Sequence, residues 1–270
     1  MTADERAPLD VEALRTGVLG ASPVFKRIDI VDETGSTNAD LIARAARGVD
    51  IDGAVLIAEH QTAGRGRQGR SWLGAPGAQI IMSFGIDAGR VPADGWGWLP
   101  LATGVAIVDA VAPRTGVEVG LKWPNDVLAG GRKLAGVLSE VAAPQRFIVV
   151  GIGLNVTLRG DEVAAPDATS LAELGVENPD RNRIVIDLLG HLGDRISLWH
   201  SDGGAGVGLA VDYRARCLTL GTRVRAILPD SSEIVGMAVD VDARGRLCID
   251  RDGETIVVSA GDVKHLRPAT

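Results

Sequence analysis

Val11, Leu14, Val18 and Leu19 recur at helical spacing and predict a short helix within residues 1–22. Residues 25–31 read as a strand that runs into the turn-prone stretch Asp32-Glu33-Thr34-Gly35-Ser36-Thr37-Asn38. Behind that Ser/Thr/Asn cluster, Ala39, Leu41, Ile42, Ala45 and Ala46 predict a capped helix. Residues 53–59 form a compact apolar run, which predicts a buried strand, and residues 79–86 (QIIMSFGI) predict another. Between them residues 61–76 read as a loop. Residues 99–112 predict a buried helix. Residues 117–123 and 134–140 predict a strand pair joined through a loop holding Gly130-Gly131. Residues 147–155 (FIVVGIGLN) predict a near-continuous apolar strand ending in glycines, and 185–199 an amphipathic helix.

After Cys217 the texture changes. Residues 222–228, 232–241, 247–250 and 255–259 predict short strands separated by Pro-Asp, Asp-Ala-Arg-Gly and Arg-Asp-Gly turns, a small all-β module of barrel type. The reading divides the chain into residues 1–217 and 218–270.

Composition narrows the class. The chain has 270 residues, 46% hydrophobic and 23% charged, which suits one large domain or one large and one small. Aromatics are 3%, so small aliphatics must build the core. The formal net charge of −7 works against general nucleic-acid binding. Two cysteines, Cys217 and Cys248, are too few for a disulfide framework or a zinc site. The first residues mix acids and bases without an apolar signal core, and 99–112 is interrupted by Asp109 and reads as too short to cross a bilayer. A cytoplasmic protein with no membrane contact is expected.

The chemistry concentrates in four segments. His60 to Trp72 carries Arg65, Arg67 and Arg70 interleaved with Gly64, Gly66 and Gly69, with no acid close by in sequence. Guanidinium forks and glycine-exposed backbone N–H groups suit phosphate or carboxylate oxygens, and mutual repulsion would make the empty loop mobile. The glycines satisfy G-x-G-x-x-G and nearly satisfy a P-loop, but both motifs need a helix directly afterwards, and here a strand follows. Both are rejected.

The second segment, Lys122-Trp123-Pro124-Asn125-Asp126, closes a strand with an amide and a carboxylate at a rigid corner. Asp126 alone reads as a turn cap. Downstream, Lys133 opens an apolar strand, where its ammonium would emerge partly desolvated; opposite three arginines it suggests a shared anionic ligand. The third, Glu33-Thr34-Gly35-Ser36-Thr37-Asn38, is by itself a helix N-cap. The fourth, Gly151-Ile152-Gly153-Leu154-Asn155, marks close packing or a floor for a flat ligand.

The ordered set (S-T-N, Q-x-A-G-R-G-R-x-G-R-x-W, K-W-P-N-D with K-L-x-G, and G-I-G-x-N) resembles the biotin protein ligase family over residues 30–217. The resemblance implies an α+β fold: a mixed sheet flanked by helices, like class II synthetases and lipoate ligases, followed by a small SH3-like barrel. It implies biotin contacts from Ser36, Thr37, Asn38, Gln61, Gly64, Arg65, Gly66, Arg67, Lys133, Gly136, Gly151 and Gly153. ATP contacts would come from Arg67, Arg70, Trp72 (against adenine), Asn125, Asp126, Lys133 and Asn155, with Lys133, Arg67 and Arg70 as the catalytic cations. The cofactors implied are ATP and Mg²⁺, the metal arriving with ATP and not held by a protein site. The implied acceptor is a lysine of a biotin carboxyl carrier domain, such as that of acetyl-CoA carboxylase, and the enzyme a monomer or weak homodimer. Only about thirty residues precede the first motif, too few for the helix-turn-helix that some members carry, so no DNA binding is expected. A lipoate or octanoate ligase and a non-catalytic biotin- or nucleotide-binding regulator are the rival readings.

Overall fold

The computed structural model describes residues 6–20, 22–143, 147–163, 165–204, 206–228, 230–259 and 262–265. A seven-stranded sheet forms its larger part, with strands β1 (Arg27–Thr34), β2 (Ala54–Gln61), β3 (Gln79–Asp87), β4 (Val119–Lys122), β5 (Asp126–Ala129), β6 (Arg132–Ala142) and β7 (Phe147–Asn155) in the order β1-β2-β3-β7-β6-β5-β4. Only β1 and β2 pair in parallel, so the sheet is mixed. The helices are α1 (Val11–Leu19), α2 (Thr37–Ala46), α3 (Trp98–Thr115), α4 (Arg181–Ser201) and α5 (Val207–Arg216).

Alternation along the strands assigns the two faces. Val55 and Ile57 of β2, with Ile80, Met82 and Phe84 of β3 and Val150, Ile152 and Leu154 of β7, join the large core under α1, α3 and α4. The intervening residues Ala54, Leu56 and Val149 form a smaller cluster with Leu41 and Ala45 of α2. On that same face the strands carry Ile81 and Ser83 opposite Gly153 and Gly151, which in turn oppose Gly136 and Leu138. Beyond the end of α2, therefore, the sheet presents small residues and leaves room for a site.

Helix α3 runs further than residues 99–112 suggested. The stretch Ala93–Thr115, a 3₁₀ turn leading into α3, is long and apolar enough to cross a membrane, so length does not exclude a span. Burial explains its composition instead: 72% of its most apolar window lies inside the protein, packed on α4 and the sheet.

Strands β8 (Arg223–Ile227), β9 (Glu233–Val241), β10 (Leu247–Arg251), β11 (Glu254–Val258) and β12 (Asp262–His265) form an antiparallel sheet of order β11-β10-β9-β8-β12. Among the described residues β11 and β12 do not pair, so no closed barrel is formed. The tryptophans attach this sheet to the larger one. Trp98 Nε1 donates to the Ala243 carbonyl at 2.9 Å and Trp123 Nε1 to that of Gly245 at 2.9 Å. Leu218 N donates to Leu121 O at 2.7 Å. Helix α5 and strands β5 and β12 were not legible in the sequence. Gly130 and Gly131, at φ 56° and 75°, turn β5 into β6 where a longer loop was expected.

Candidate active site

A cavity of about 500 Å³ opens on the small-residue face of the larger sheet. Its polar end starts at the N-terminus of α2. Ser36 caps that helix, its side chain accepting from Ala39 N. This leaves Thr37 and Asn38 buried at the sheet surface. Gln61 Oε1 accepts from Thr37 N at 2.8 Å and from its hydroxyl at 3.0 Å. Asn38 Nδ2 donates to Glu140 at 2.8 Å.

Ser83, not singled out by motif reading, ties the group together. It is wholly buried, its Oγ lies 2.6 Å from the Thr37 hydroxyl and it donates to Asn38 Oδ1 at 2.6 Å. The signal was one hydroxyl within an otherwise apolar strand (QIIMSFGI). The glycine opposite Ser83 makes room: a Cβ on Gly151 would sit 2.3 Å from Asn38 Oδ1.

The Arg/Gly loop doubles back over the cavity as a short hairpin. Gly66 N donates to Arg70 O at 2.7 Å and Trp72 N to Gly64 O at 2.8 Å, with a tight turn over Arg67–Gly69 at the tip, where Arg70 N donates to Arg67 O at 3.2 Å. Gln68 (φ 55°) and Gly69 (φ 72°) adopt left-handed backbone to make the reversal. A helix does not follow; β3 does. The loop's exit is anchored from behind: Arg6 donates to Pro76 O at 3.3 Å, and Gln79 Nε2 to Leu73 O at 3.1 Å.

Trp72 lies flat on the glycines of β6 and β7. A Cβ on Gly153 would fall 2.3 Å from Trp72 Cε2, and one on Gly136 would fall 3.0 Å from Cζ3. The glycines reserved for a flat group thus seat the protein's own indole. Its Nε1 is buried and makes no hydrogen bond with a described residue.

Lys133 Nζ stands 5.4 Å from the Trp72 ring centroid and 2.6 Å from Asp126 Oδ1. Asp126 is therefore an ion-pair partner and the first residue of β5, not a turn cap. Asn125 is the corner clamp: its Nδ2 donates to Val137 O at 2.9 Å, Val137 N donates back to its carbonyl at 2.9 Å, and its Oδ1 receives Arg67 at 3.2 Å. Burial pushes the Arg67 guanidinium below its ordinary value; Asp126 opposes that shift and Arg70 adds to it.

Folding supplies an acid that the neighbouring sequence lacked, since Arg65 comes within 3.9 Å of Glu140. Ser36, Thr37, Asn38, Gln61, Arg65, Gly66, Arg67, Arg70, Trp72, Asn125, Asp126, Lys133, Gly136, Gly151 and Gly153 all line the cavity. Gly64 and Asn155 do not. Gly64 lies behind the loop, where a Cβ would meet Trp72 O at 2.5 Å. Asn155 is 2% exposed and committed to the scaffold, accepting from Gln79 at 2.7 Å and donating to Thr169 O at 2.8 Å. Asp167 and Lys264, which the sequence reading did not select, also line the cavity, as does Lys122, which it quoted in the second segment without a role. Among the described residues no cluster of three or more His, Cys, Asp or Glu side chains is placed to hold a metal.

The sequence model of the biotin/lipoate A/B protein ligase family matches residues 51–156, and that of the biotin protein ligase C-terminal domain matches 219–266. The chain is 58% identical over 265 residues, 97% of each chain, to a biotin–[acetyl-CoA-carboxylase] ligase of Mycobacterium tuberculosis. It is 31% identical to the bifunctional ligase/repressor BirA of Escherichia coli, over 87% of this chain and 74% of that one. The structure resembles that of a biotin protein ligase from Aquifex aeolicus in complex with biotin and ATP, with a TM-score of 0.78, 26% identity, and 90% and 100% of the two chains covered.

Proposed function

The chain belongs to the biotin protein ligase family, and from that membership we propose that it forms biotinyl-5′-AMP from biotin and ATP and transfers the biotinyl group to a lysine of a carboxylase carrier domain. The observation that carries this reading is one cavity with two unlike ends. Hydroxyls and amides gather at Ser36, Thr37, Asn38 and Gln61, and the cations Arg67, Arg70 and Lys133 gather at the other end. A ureido head, with one acceptor and two donors, matches the first end. A carboxylate meeting a polyphosphate matches the second.

In this reading the biotin carboxylate attacks the α-phosphorus in line. A bond forms from carboxylate oxygen to phosphorus, and the α–β bridging bond breaks with its electron pair on pyrophosphate. Lys133 and Arg67 screen the two approaching anions, and Arg70 meets the phosphates. Trp72 packs against the adenine. Lys133 is already held by Asp126, so its ammonium is in place before ligand arrives. Mg²⁺, carried on the phosphate oxygens, would add charge neutralisation. Closure of the Arg/Gly loop keeps water from the mixed anhydride until the acceptor amine attacks the acyl carbon, releasing AMP.

We assign these steps to a catalytic domain of residues 1–217, with 218–270 as a small accessory domain, in a cytoplasmic enzyme. We assign it no operator binding, a choice supported by the net charge of −7. The deciding experiment incubates the protein with MgATP, equal biotin and lipoate, and a purified carrier domain, then weighs the carrier. A biotinyl mass increment is expected. A lipoyl increment, or none, defeats the reading.

A further inference from the structure

The chain ahead of α1 forms a short strap behind the cavity. Two side chains hold its backbone there. Arg181 donates to Ala7 O at 2.7 Å, and Glu59, paired with Arg181 at 2.6 Å, accepts from Leu9 N at 2.6 Å. The strap is therefore seated without help from Arg6. The Arg6 side chain is nonetheless turned inward, only 2% exposed, and its bonds with described residues run to distant parts of the chain.

Those bonds join two loops. Arg6 Nη1 donates to Pro76 O at 3.3 Å, at the exit of the Arg/Gly loop. Its Nη2 donates to Thr157 O at 2.9 Å and to Glu162 at 2.7 Å, just beyond β7. Both places lead to the cavity. From Pro76 the chain runs back through Trp72 to Arg70 and Arg67. From Glu162 it runs on to Asp167 and Thr169, which clasp the backbone of Lys133: Lys133 N donates to Asp167 O at 2.7 Å, and Thr169 N to Lys133 O at 2.9 Å. One guanidinium thus braces, from behind, the two structures that carry the cations of the cavity.

The chemistry of the bracing needs an arginine. A planar fork presents two Nη atoms at a fixed separation, so one side chain can set the distance between two segments; an ammonium offers a single point. Stability alone accounts poorly for it. A buried ion pair is often no more stabilising than apolar residues of similar volume. Here Arg6 Nε is also buried without a partner among the described residues, which costs free energy. The benefit lies in position instead. A displacement between two anions depends on how closely its groups are placed, and a shift of about 1 Å can cost about a hundredfold in rate.

We propose that Arg6 is a positioning residue for adenylation: it fixes the spacing between the Arg/Gly loop and the clasp on Lys133, and so holds Arg67, Arg70 and Lys133 at the separation the displacement requires. Arg6 does not line the cavity, so it acts only through the two loops. The inference rests on the ligase reading above, since it assigns those cations to one reaction.

The test compares Arg6→Met with Val18→Ala in the full-length protein. Val18 is 2% exposed in α1, which packs on α4 and β1, so its truncation controls for lost stability away from both loops. Biotin-dependent exchange of pyrophosphate into ATP should fall about tenfold in Arg6→Met and stay within about twofold of wild type in Val18→Ala. With biotin and ATP bound, protease cleavage between Gly64 and Arg70 should be faster in Arg6→Met than in wild type and unchanged in Val18→Ala. An exchange loss below about threefold in Arg6→Met, an equal loss in Val18→Ala, or equal cleavage in Arg6→Met and wild type overturns the assignment. Should Arg6→Met not fold, the double variant Arg6→Met with Glu162→Gln, which leaves no carboxylate unpaired, is read by the same criteria. A wild-type protein that makes no biotinyl-5′-AMP defeats the ligase reading itself, whereas an active wild type with an unaffected Met variant removes Arg6 alone.

Discussion

The seat of Trp72 on bare sheet gives a prediction whose sign changes with the partner. Gly153 does not use left-handed backbone, so alanine there is not strained by conformation. Its Cβ, however, would lie 2.3, 2.5 and 2.6 Å from Trp72 Cε2, Cζ2 and Nε1. Carbon atoms pack at about 3.5–4.0 Å, so the indole must lift by more than about 1 Å. Overpacking of this kind costs about 1–3 kcal/mol. Replacing glycine also narrows the unfolded ensemble, which returns about 0.4–1 kcal/mol. Gly153→Ala alone should therefore destabilise, by up to about 2.6 kcal/mol after the two are set against each other. In a Trp72→Ala background the obstacle is gone and only the favourable part remains, so the same substitution should stabilise by up to about 1 kcal/mol. Urea unfolding followed by circular dichroism measures the four corners of this double-mutant cycle. A cost that is the same in both backgrounds would refute contact between Gly153 and the indole. The single variant should also raise the KM for ATP more than that for biotin, because Trp72 is assigned to the adenine.

Ser83→Ala removes two bonds of 2.6 Å from a wholly buried position. It should cost about 1–3 kcal/mol of stability in urea unfolding and weaken biotin binding in calorimetry; unchanged affinity would separate Ser83 from the pocket. Glu162 gives a pH signature. Its hydrogen bond from Arg6 holds its carboxyl below the ordinary glutamate value despite partial burial. A depressed folded pKa contributes stability that is complete above the unfolded value and disappears as pH falls through the folded one. Glu162→Gln should lose up to about 1 kcal/mol at neutral pH, with the gap to wild type closing on acidification; a constant gap from neutral to acid pH would contradict this.

Periodicity along the chain was enough to read most of the large sheet, the core helices and a separate β-rich module. Period-2 and period-3.6 burial is a local property that side-chain order alone encodes. Side-chain order also shows which motifs carry charge and glycine, because anion chemistry needs those residue types wherever they end up. Which of them meet depends on folding. Asp126 and Lys133 lie apart along the chain but become an ion pair once β5 and β6 pair. Asn155 is a nucleotide contact by family resemblance, yet its amide is consumed by Gln79 and Thr169, which only folding brings beside it. Ser83 carried too little local signal to be chosen, and Lys122, although it opens the second segment, was given no role. One is a hydroxyl in an apolar strand and the other a lysine at a strand end, and each gains meaning from cross-strand register, a long-range relation that no window of sequence contains. Trp72 likewise lies on Gly136 and Gly153 because pairing of β6 with β7 sets two glycines side by side.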